Sequence, residues 1–225
     1  MKNKVLVVVA HSDDETFGMG GTLKKHANNK DDVFVVSMTD GVSSRNKQSK
    51  KIISERKKSS LNAGKILGFK WKNCFDFPDN ALDSIPMINL IKSLEEVKDS
   101  VSPNIVYTHS SKDLNIDHRI ISQAVLTVFR PQPNEICREI RLFEVPSATD
   151  FGNESLTGSF LPNLFLDITK TWKEKKLASL AYKKELKDYP HSRSLKGLEN
   201  LAKIRGNQVG LEMAEAFEII RKIES

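Results

Sequence analysis

The chain is poor in the residues that would announce several protein classes. It has two cysteines among 225 residues, Cys74 and Cys137, far apart and without a C-x-x-C pair. Neither a thiolate zinc site nor a disulfide framework fits them, and both read as small buried hydrophobes. Aromatic residues make up 7%, too few to interleave with a basic stripe. The lysines (Lys50, Lys51, Lys57, Lys58, Lys173, Lys175, Lys176) are scattered among acids, so nucleic acid is not an expected partner. The longest unbroken apolar run, residues 5–10, has six members, against roughly 18 for a bilayer span, and no membrane span is expected. His11, Ser12, Asp13 and Asp14 also interrupt that run before the roughly 7–15 apolar residues a signal peptide needs. The expected location is the cytoplasm. With 11 glycines and 8 prolines, a fibrous or disordered chain is excluded as well.

What is present is a globular composition, 39% hydrophobic and 28% charged, with a surplus of 35 − 29 = +6. That surplus suits an anionic ligand or simply solubility. Residues 4–10 read KVLVVVA, apolar without alternation, as in a parallel strand buried on both faces. Comparable runs recur at 33–38, 74–77, 105–108 and 140–145. Helical periodicity covers 49–67, with Gly68 past its end, then 85–98, then a stretch from Asp117 towards Pro131. Alternation of this kind predicts an α/β fold: a Rossmann-like, doubly wound, mostly parallel sheet with helices on both faces. After Pro146 the pattern changes. Residues 147–162 are polar, and helices are expected over 171–186 and 195–222, giving a helical C-terminal portion. The expected organisation is one domain over 1–225, a Rossmann-like core to about 146 followed by a substrate-site loop and helical completion.

In open α/β sheets, ligands bind beyond the carboxyl ends of the strands. Two histidine-carboxylate clusters fall there: His11-Ser12-Asp13-Asp14-Glu15 after the first strand, and His109 with Asp113-Leu114-Asn115-Ile116-Asp117-His118 after the fourth. His11, Asp14 and His118 make a set of two imidazoles and one carboxylate that leaves positions open on a metal. Either cluster alone is more often a structural histidine or a capping turn, but three adjacent acids at a strand end repel one another unless a cation sits among them. Gly18-Met19-Gly20-Gly21 does not make a dinucleotide site, because acids stand where a pyrophosphate would lie. Those glycines are expected to pack the loop closely and to start a helix from Thr22.

His11-Ser12-Asp13-Asp14-Glu15 resembles the A-H-P-D-D-E signature of the zinc-dependent PIG-L/LmbE-like de-N-acetylases, and Asn115-Ile116-Asp117-His118-Arg119 resembles their second motif. Thr39-Asp40-Gly41, Phe77-Pro78-Asp79-Asn80, Glu144-Val145-Pro146-Ser147, Phe160-Leu161-Pro162-Asn163 and Pro190-His191-Ser192-Arg193-Ser194 with Arg205-Gly206 are similar to the branch associated with bacterial surface-glycan synthesis. The resemblance implies Zn²⁺ on His11, Asp14 and His118, or another divalent transition metal, with Asp13 as general base. It implies Arg56 and Asp79 as sugar-holding residues. His191, Arg193 and Arg205 are candidates for a phosphorylated or nucleotide portion of the substrate, since guanidinium forks suit phosphate. Ser12 replaces the usual proline, which alters loop stiffness and not the ligands. Some relatives carry histidine at the position of Asn115, and Asn can donate a hydrogen bond but cannot shuttle a proton. The general acid is then Asp13 in its protonated form or His109, with Asn115 steadying an oxyanion and Asp117 orienting an imidazole.

The expected function is removal of the acetyl group from an N-acetylated sugar or sugar nucleotide, with acetate released, in surface polysaccharide biosynthesis. Alternatives are a metal-dependent amidase on a thiol-sugar conjugate or other small amide, and a non-catalytic sugar-binding relative. A homo-oligomer is left open.

Overall fold

In the computed structural model, which describes residues 2–44 and 50–224, the unalternating apolar run becomes β1 (Lys4–Val9), an interior strand of a seven-stranded sheet. Val5, Val7 and Val9 enter the core on one face, while Leu6 and Val8 enter the core on the other. That is the two-step period of a strand with no solvent side. The remaining strands are β2 (Asp32–Thr39), β3 (Lys70–Phe77), β4 (Ile105–His109), β5 (Glu139–Phe143), β6 (Leu164–Asp167) and β7 (Ala214–Lys222). Their order is β3-β2-β1-β4-β5-β7-β6. β1 to β5 run parallel, and β7 pairs antiparallel with both β5 and β6.

The helices are α1 (Asp14–Asn28), α2 (Lys50–Leu67), α3 (Met87–Val101), α4 (Ile116–Val128), α5 (Glu154–Thr157), α6 (Trp172–Ala181) and α7 (Leu195–Asn207). α1, α2 and α6 pack on one face through Leu23, Ala63, Leu67 and Ala178, and α3 and α4 cover the other through Leu90, Leu94, Ile121 and Val125. The expected α/β class and helices on both faces are therefore present. Gly68, at φ +84°, ends α2 in the left-handed region that glycine adopts without strain. The expected first residue of that helix, Ser49, lies outside the described residues.

Three expectations need correction. The helix expected over 195–222 stops at Asn207, and Ala214–Lys222 is a strand. Gly210, at φ +74°, turns the chain back, and the open side of β5 supplies hydrogen-bond partners, with Phe217 opposite Phe143. Tertiary pairing overrides the helical leaning of this Ala- and Glu-containing stretch. The C-terminal portion thus contributes α5, α6 and α7 together with two strands of the same sheet. Secondly, Cys74 is exposed, because β3 is an edge strand, while Cys137 is buried as expected.

Thirdly, the helix after His11 starts at Asp14 and not at Thr22, with a break at Met19 (φ −138°, ψ 25°). A break frees backbone groups, and buried ones need partners. Glu215 of β7 accepts from the Gly21 and Thr22 N–H groups at 2.9 and 2.7 Å, capping the second half of α1 from 194 and 193 residues away. Lys175 of α6 compensates that carboxylate at 2.6 Å. The glycines allow this packing: a Cβ on Gly21 would stand 2.7 Å from Ile168 Cβ. Gly21→Ala is therefore expected to cost about 1–3 kcal/mol of stability through overpacking, read as a lower midpoint in urea unfolding with an unchanged slope; an unshifted midpoint would refute the close fit.

Candidate metal centre and active site

The strand order reverses between β1 and β4, and loops leaving these two neighbours diverge to opposite faces and open a crevice. His11 follows β1 directly, Asp14 opens α1, and His118 lies in the first turn of α4. Asn115 caps α4, its Oδ1 accepting the Asp117 N–H at 2.8 Å, which fixes the turn that presents His118.

Three donor atoms meet in this crevice. His11 Nδ1 lies 3.3 Å from Asp14 Oδ2, His118 Nε2 lies 3.3 Å from the same oxygen, and the two nitrogens are 3.3 Å apart. Zinc–nitrogen and zinc–oxygen bonds of about 2.0–2.1 Å set along tetrahedral directions separate their ligands by about 3.3–3.4 Å, so the triangle matches one face of such a site. The far sides of the rings agree. His11 Nε2 faces Asp79 Oδ1 at 3.0 Å and Asp117 Oδ2 at 3.2 Å, and His118 Nδ1 faces Asp113 Oδ2 at 2.6 Å. Each imidazole thus donates its proton outward to a carboxylate and turns a lone pair inward, the arrangement found around metal-bound histidines. His11, Asp14 and His118 form a buried group that could hold a metal ion.

Electrostatics point the same way. Burial disfavours charge on His11, yet its bonds to Asp117, Asp14 and Asp79 outweigh this and raise its pKa. Burial is likewise overcome at His118, where Asp14 and Asp113 hold the pKa up to about 9. For Asp14, burial opposes ionisation but His118 and His11 pull its pKa down. The donor set therefore attracts positive charge, which protons supply when no cation does.

Asp13 stands beside this triad, 2% exposed. Burial raises its pKa, with Arg56 opposing that shift. Arg56 Nη2 donates to Asp13 Oδ1 at 3.1 Å, its Nε to Ser12 Oγ at 3.2 Å, and its Nη1 pairs with Glu185 at 3.0 Å. Arg193 Nη1 approaches Asp13 Oδ2 at 4.0 Å. Glu15, its pKa pushed up to about 8 by burial, accepts the Asp13 N–H at 3.0 Å and the Tyr182 hydroxyl at 3.0 Å.

A cavity of about 140 Å³ opens over these groups, and His11, Asp13, Asp14, Arg56, Asp79, Asn115, His118 and Arg193 all line it. Four other candidates stand elsewhere. His109 is fully buried, stacked on His118 with ring centroids 3.8 Å apart, and its Nε2 accepts the Ala10 N–H at 2.8 Å. Burial, then His118, lowers its pKa. Asp117 lies behind His11, also accepting the Asn80 N–H at 2.7 Å. His191 packs against Phe151. Arg205 is engaged by Glu144 in two bonds of 2.7 Å. The structure adds Asp113, Ser44, Asn80, Glu185 and Glu15 to the neighbourhood. Of these, Asp113 and Glu15 stand within the two histidine-carboxylate clusters and Asn80 within the Phe77-Pro78-Asp79-Asn80 motif, whereas Ser44 and Glu185 carried no local signal.

Fold and site together define an α/β protein with a buried donor set of two histidines and one aspartate at the switch point of its sheet. The PIG-L family model, described as GlcNAc-PI de-N-acetylase, matches residues 6–129, which include both donor-bearing loops. The chain belongs to this family, and it is an enzyme of the deacetylase kind, a hydrolase acting on carbon–nitrogen bonds. An uncharacterized deacetylase of Escherichia coli (strain K12), YaiS, is 28% identical over 181 residues, covering 78% of this chain and 88% of the relative. Among solved structures, N,N'-diacetylchitobiose deacetylase from Pyrococcus horikoshii, complexed with its inhibitor, superposes with a TM-score of 0.78 at 23% identity, over 97% of this chain and 84% of that one. GalB, the 4-carboxy-2-hydroxymuconate hydratase of Pseudomonas putida KT2440, gives 0.76 at 21% identity, over 100% and 98%. These two likenesses concern the fold. A fold shared with a hydratase does not name the reaction, which has to come from the site.

The two carboxylates in contact with His118 should behave differently. Asp14→Asn replaces a charged donor and should leave the purified protein metal-free, whereas Asp113→Asn, which only orients His118, should weaken metal affinity about 10–100-fold. Metal analysis and competition against a chelator measure both. Full loading of Asp14→Asn would remove Asp14 from the donor set.

Proposed function

We propose that the protein is a zinc-dependent hydrolase that removes the acetyl group from an N-acetylated sugar. The observation that carries this reading is the 3.3 Å triangle of His11, Asp14 and His118 with the buried carboxylate of Asp13 beside it, at the floor of one cavity. A divalent ion held there would polarise the acetyl carbonyl and acidify a water. Asp13 supplies the base. Oδ1 is held by Arg56, which leaves Oδ2 to take a proton from the attacking water and return it to the departing amine nitrogen. One amide and one water give acetate and a protonated amine, so both protons of the water end on the amine nitrogen and Asp13 is left as it began.

Asn115 lines the cavity, and its Nδ2 donates to Asn80 Oδ1 at 3.1 Å. An amide nitrogen has a second N–H, which suits steadying an oxyanion. His109, enclosed and already accepting from Ala10, is the weaker candidate for the acid and supports the packing of His118. Arg56 and Asp79 stand at the cavity wall, where a sugar hydroxyl can reach them. Of the three basic residues expected to contact phosphate, Arg193 alone lines this cavity. The resemblance of the outer motifs supports a place in surface-polysaccharide synthesis, with the reaction in the cytoplasm. Among the described residues, no helix is long and apolar enough to cross a membrane.

Acetate release from a panel of N-acetylated sugars by the zinc-loaded protein tests the reading. Asp13→Asn should retain its metal and lose about 10²–10⁴-fold in rate. Unchanged turnover in that variant would dismiss Asp13 as the base, and no acetate from any sugar by the parent would dismiss the activity.

A further inference from the structure

The hydrolysis proposed above turns a neutral amide into an acetate anion, so negative charge appears in a cavity whose wall already carries the Asp13 and Asp14 carboxylates. The carbonyl supplies one acetate oxygen and the attacking water supplies the other. The water-derived oxygen forms beside Asp13 Oδ2, the oxygen that Arg56 leaves free. Among the described residues, the guanidinium groups on the cavity wall are those of Arg56 and Arg193. Arg56 is committed: Nη2 donates to Asp13, Nε donates to Ser12 at 3.2 Å, and Nη1 pairs with Glu185 at 3.0 Å. Asn115 carries no charge and donates to Asn80. Arg193 is the cation that keeps donors for a newly formed anion.

Its Nη1 stands 4.0 Å from Asp13 Oδ2, beyond hydrogen-bond reach, and its buried Nε has no partner among the described residues. A charge-assisted hydrogen bond spans about 2.7–2.9 Å, so this gap is one that a single oxygen bridges, accepting from Nη1 on one side and facing Oδ2 on the other. The water-derived oxygen lies on this side of Asp13, since it gives its proton to Oδ2. The guanidinium is also held in advance. It lies over the Phe17 ring of α1, with Cζ 5.6 Å from the ring centroid. The Arg193 N–H donates to His191 Nδ1 at 3.0 Å, the Arg193 carbonyl accepts the Lys187 N–H at 3.2 Å, and Ser194 caps α7 by accepting the Gly197 N–H at 2.9 Å. Backbone and guanidinium are both fixed before an anion arrives, which lowers the entropy lost in binding it. His191 thereby supports Arg193 through the backbone.

We propose that Arg193 is a catalytic residue that holds the water-derived oxygen of the acetyl group, stabilising the charge that grows on it in the tetrahedral state and then retaining acetate beside Asp13. The water oxygen bonds to the acetyl carbon while one proton passes to Asp13 Oδ2 and on to the amine nitrogen. The C–N bond breaks with its electron pair on nitrogen, and the second proton of the water follows to the same atom. Acetate and a protonated amine result, and the guanidinium keeps its protons throughout. The inference rests on the deacetylase reading above and assigns Arg193 to the reacting oxygen, not to a substrate phosphate.

The test reads acetate itself. Acetate binding to the zinc-loaded protein, followed by NMR line broadening, should weaken about tenfold or more in Arg193→Met and to an intermediate degree in Arg193→Lys, with zinc content unchanged. The same loss should appear when Arg193→Met is added to Asp13→Asn, which separates contact with acetate from an effect passed through the base. In single turnovers of N-acetylglucosamine with enzyme in excess, Arg193→Met should slow acetate formation about 10–100-fold while the concentration for half-maximal rate stays unchanged, and the loss should be equal for UDP-N-acetylglucosamine. The proposal is overturned by a parent protein that does not bind acetate, by equal binding in parent and Arg193→Met, by a loss that vanishes in the Asp13→Asn background, by a larger loss for the nucleotide sugar, or by loss of zinc or of fold in both Arg193 variants. If no substrate releases acetate, the deacetylase reading fails by itself, and the acetate titration still decides the role of Arg193.

Discussion

The structure depends on keeping six carboxylates buried at one end of its sheet. Asp13, Asp14, Glu15, Asp79, Asp113 and Asp117 are each at most 6% exposed. An isolated buried charge costs several kcal/mol, and such groups persist only when paired and hydrogen-bonded. Here the compensation is divided. Asp79, Asp113 and Asp117 face imidazole N–H groups, Asp13 faces Arg56, and Glu15 takes a backbone N–H and a tyrosine hydroxyl. Asp14 and Asp117 also lie in the first turns of α1 and α4, where the helix dipole favours negative charge. What this leaves over is an inward-facing triangle of lone pairs that could hold a metal ion.

The C-terminal portion holds that arrangement in place. α6 reaches Glu15 through Tyr182 and the kinked helix α1 through Lys175, and β7 caps the second half of α1 through Glu215. α1 bears Asp14 at its start, so any slip of α1 along the sheet would move one corner of the His11, Asp14 and His118 triangle. A kinked helix with glycines at its break would be a poor support by itself. With its freed N–H groups fixed by a buried ion pair, it becomes a rigid one. The tail thereby serves the site without contributing a donor to it.

The parts of this design that were legible in the sequence are those with local signals. β1 reads directly from residues 4–10, because a strand buried on both faces has no polar alternation. His11, Asp14 and His118 were readable as a donor set, since topology brings strand ends together, and the structure sets their atoms at 3.3 Å. Relations across long separations were not legible. Glu215 meets its partners nearly two hundred residues away, and nothing in the stretch around it marks a cap. The strand at 214–222 was hidden for a similar reason: its conformation answers to the open side of β5 and not to its own composition. Asp79 was singled out as a sugar-holding residue by resemblance, and its 3.0 Å approach to His11 could be seen only once β1 and β3 were placed in one sheet.

Charge shows most clearly why counting falls short of pairing. The net +6 and the basic residues of the tail suggested an anionic ligand. In the folded chain Arg205 is held by Glu144 and Arg56 is shared by Asp13 and Glu185, so neither offers its charge freely to solvent. Arg193 sits over the Phe17 ring with its Nη1 4.0 Å from Asp13 Oδ2, while its buried Nε has no hydrogen-bond partner among the described residues. A guanidinium already matched to a carboxylate would have to break that pair before binding phosphate, which cancels much of the gain. The ligand charge a site accepts is set by the charges left unpaired at its walls, and net charge read from composition does not show which those are.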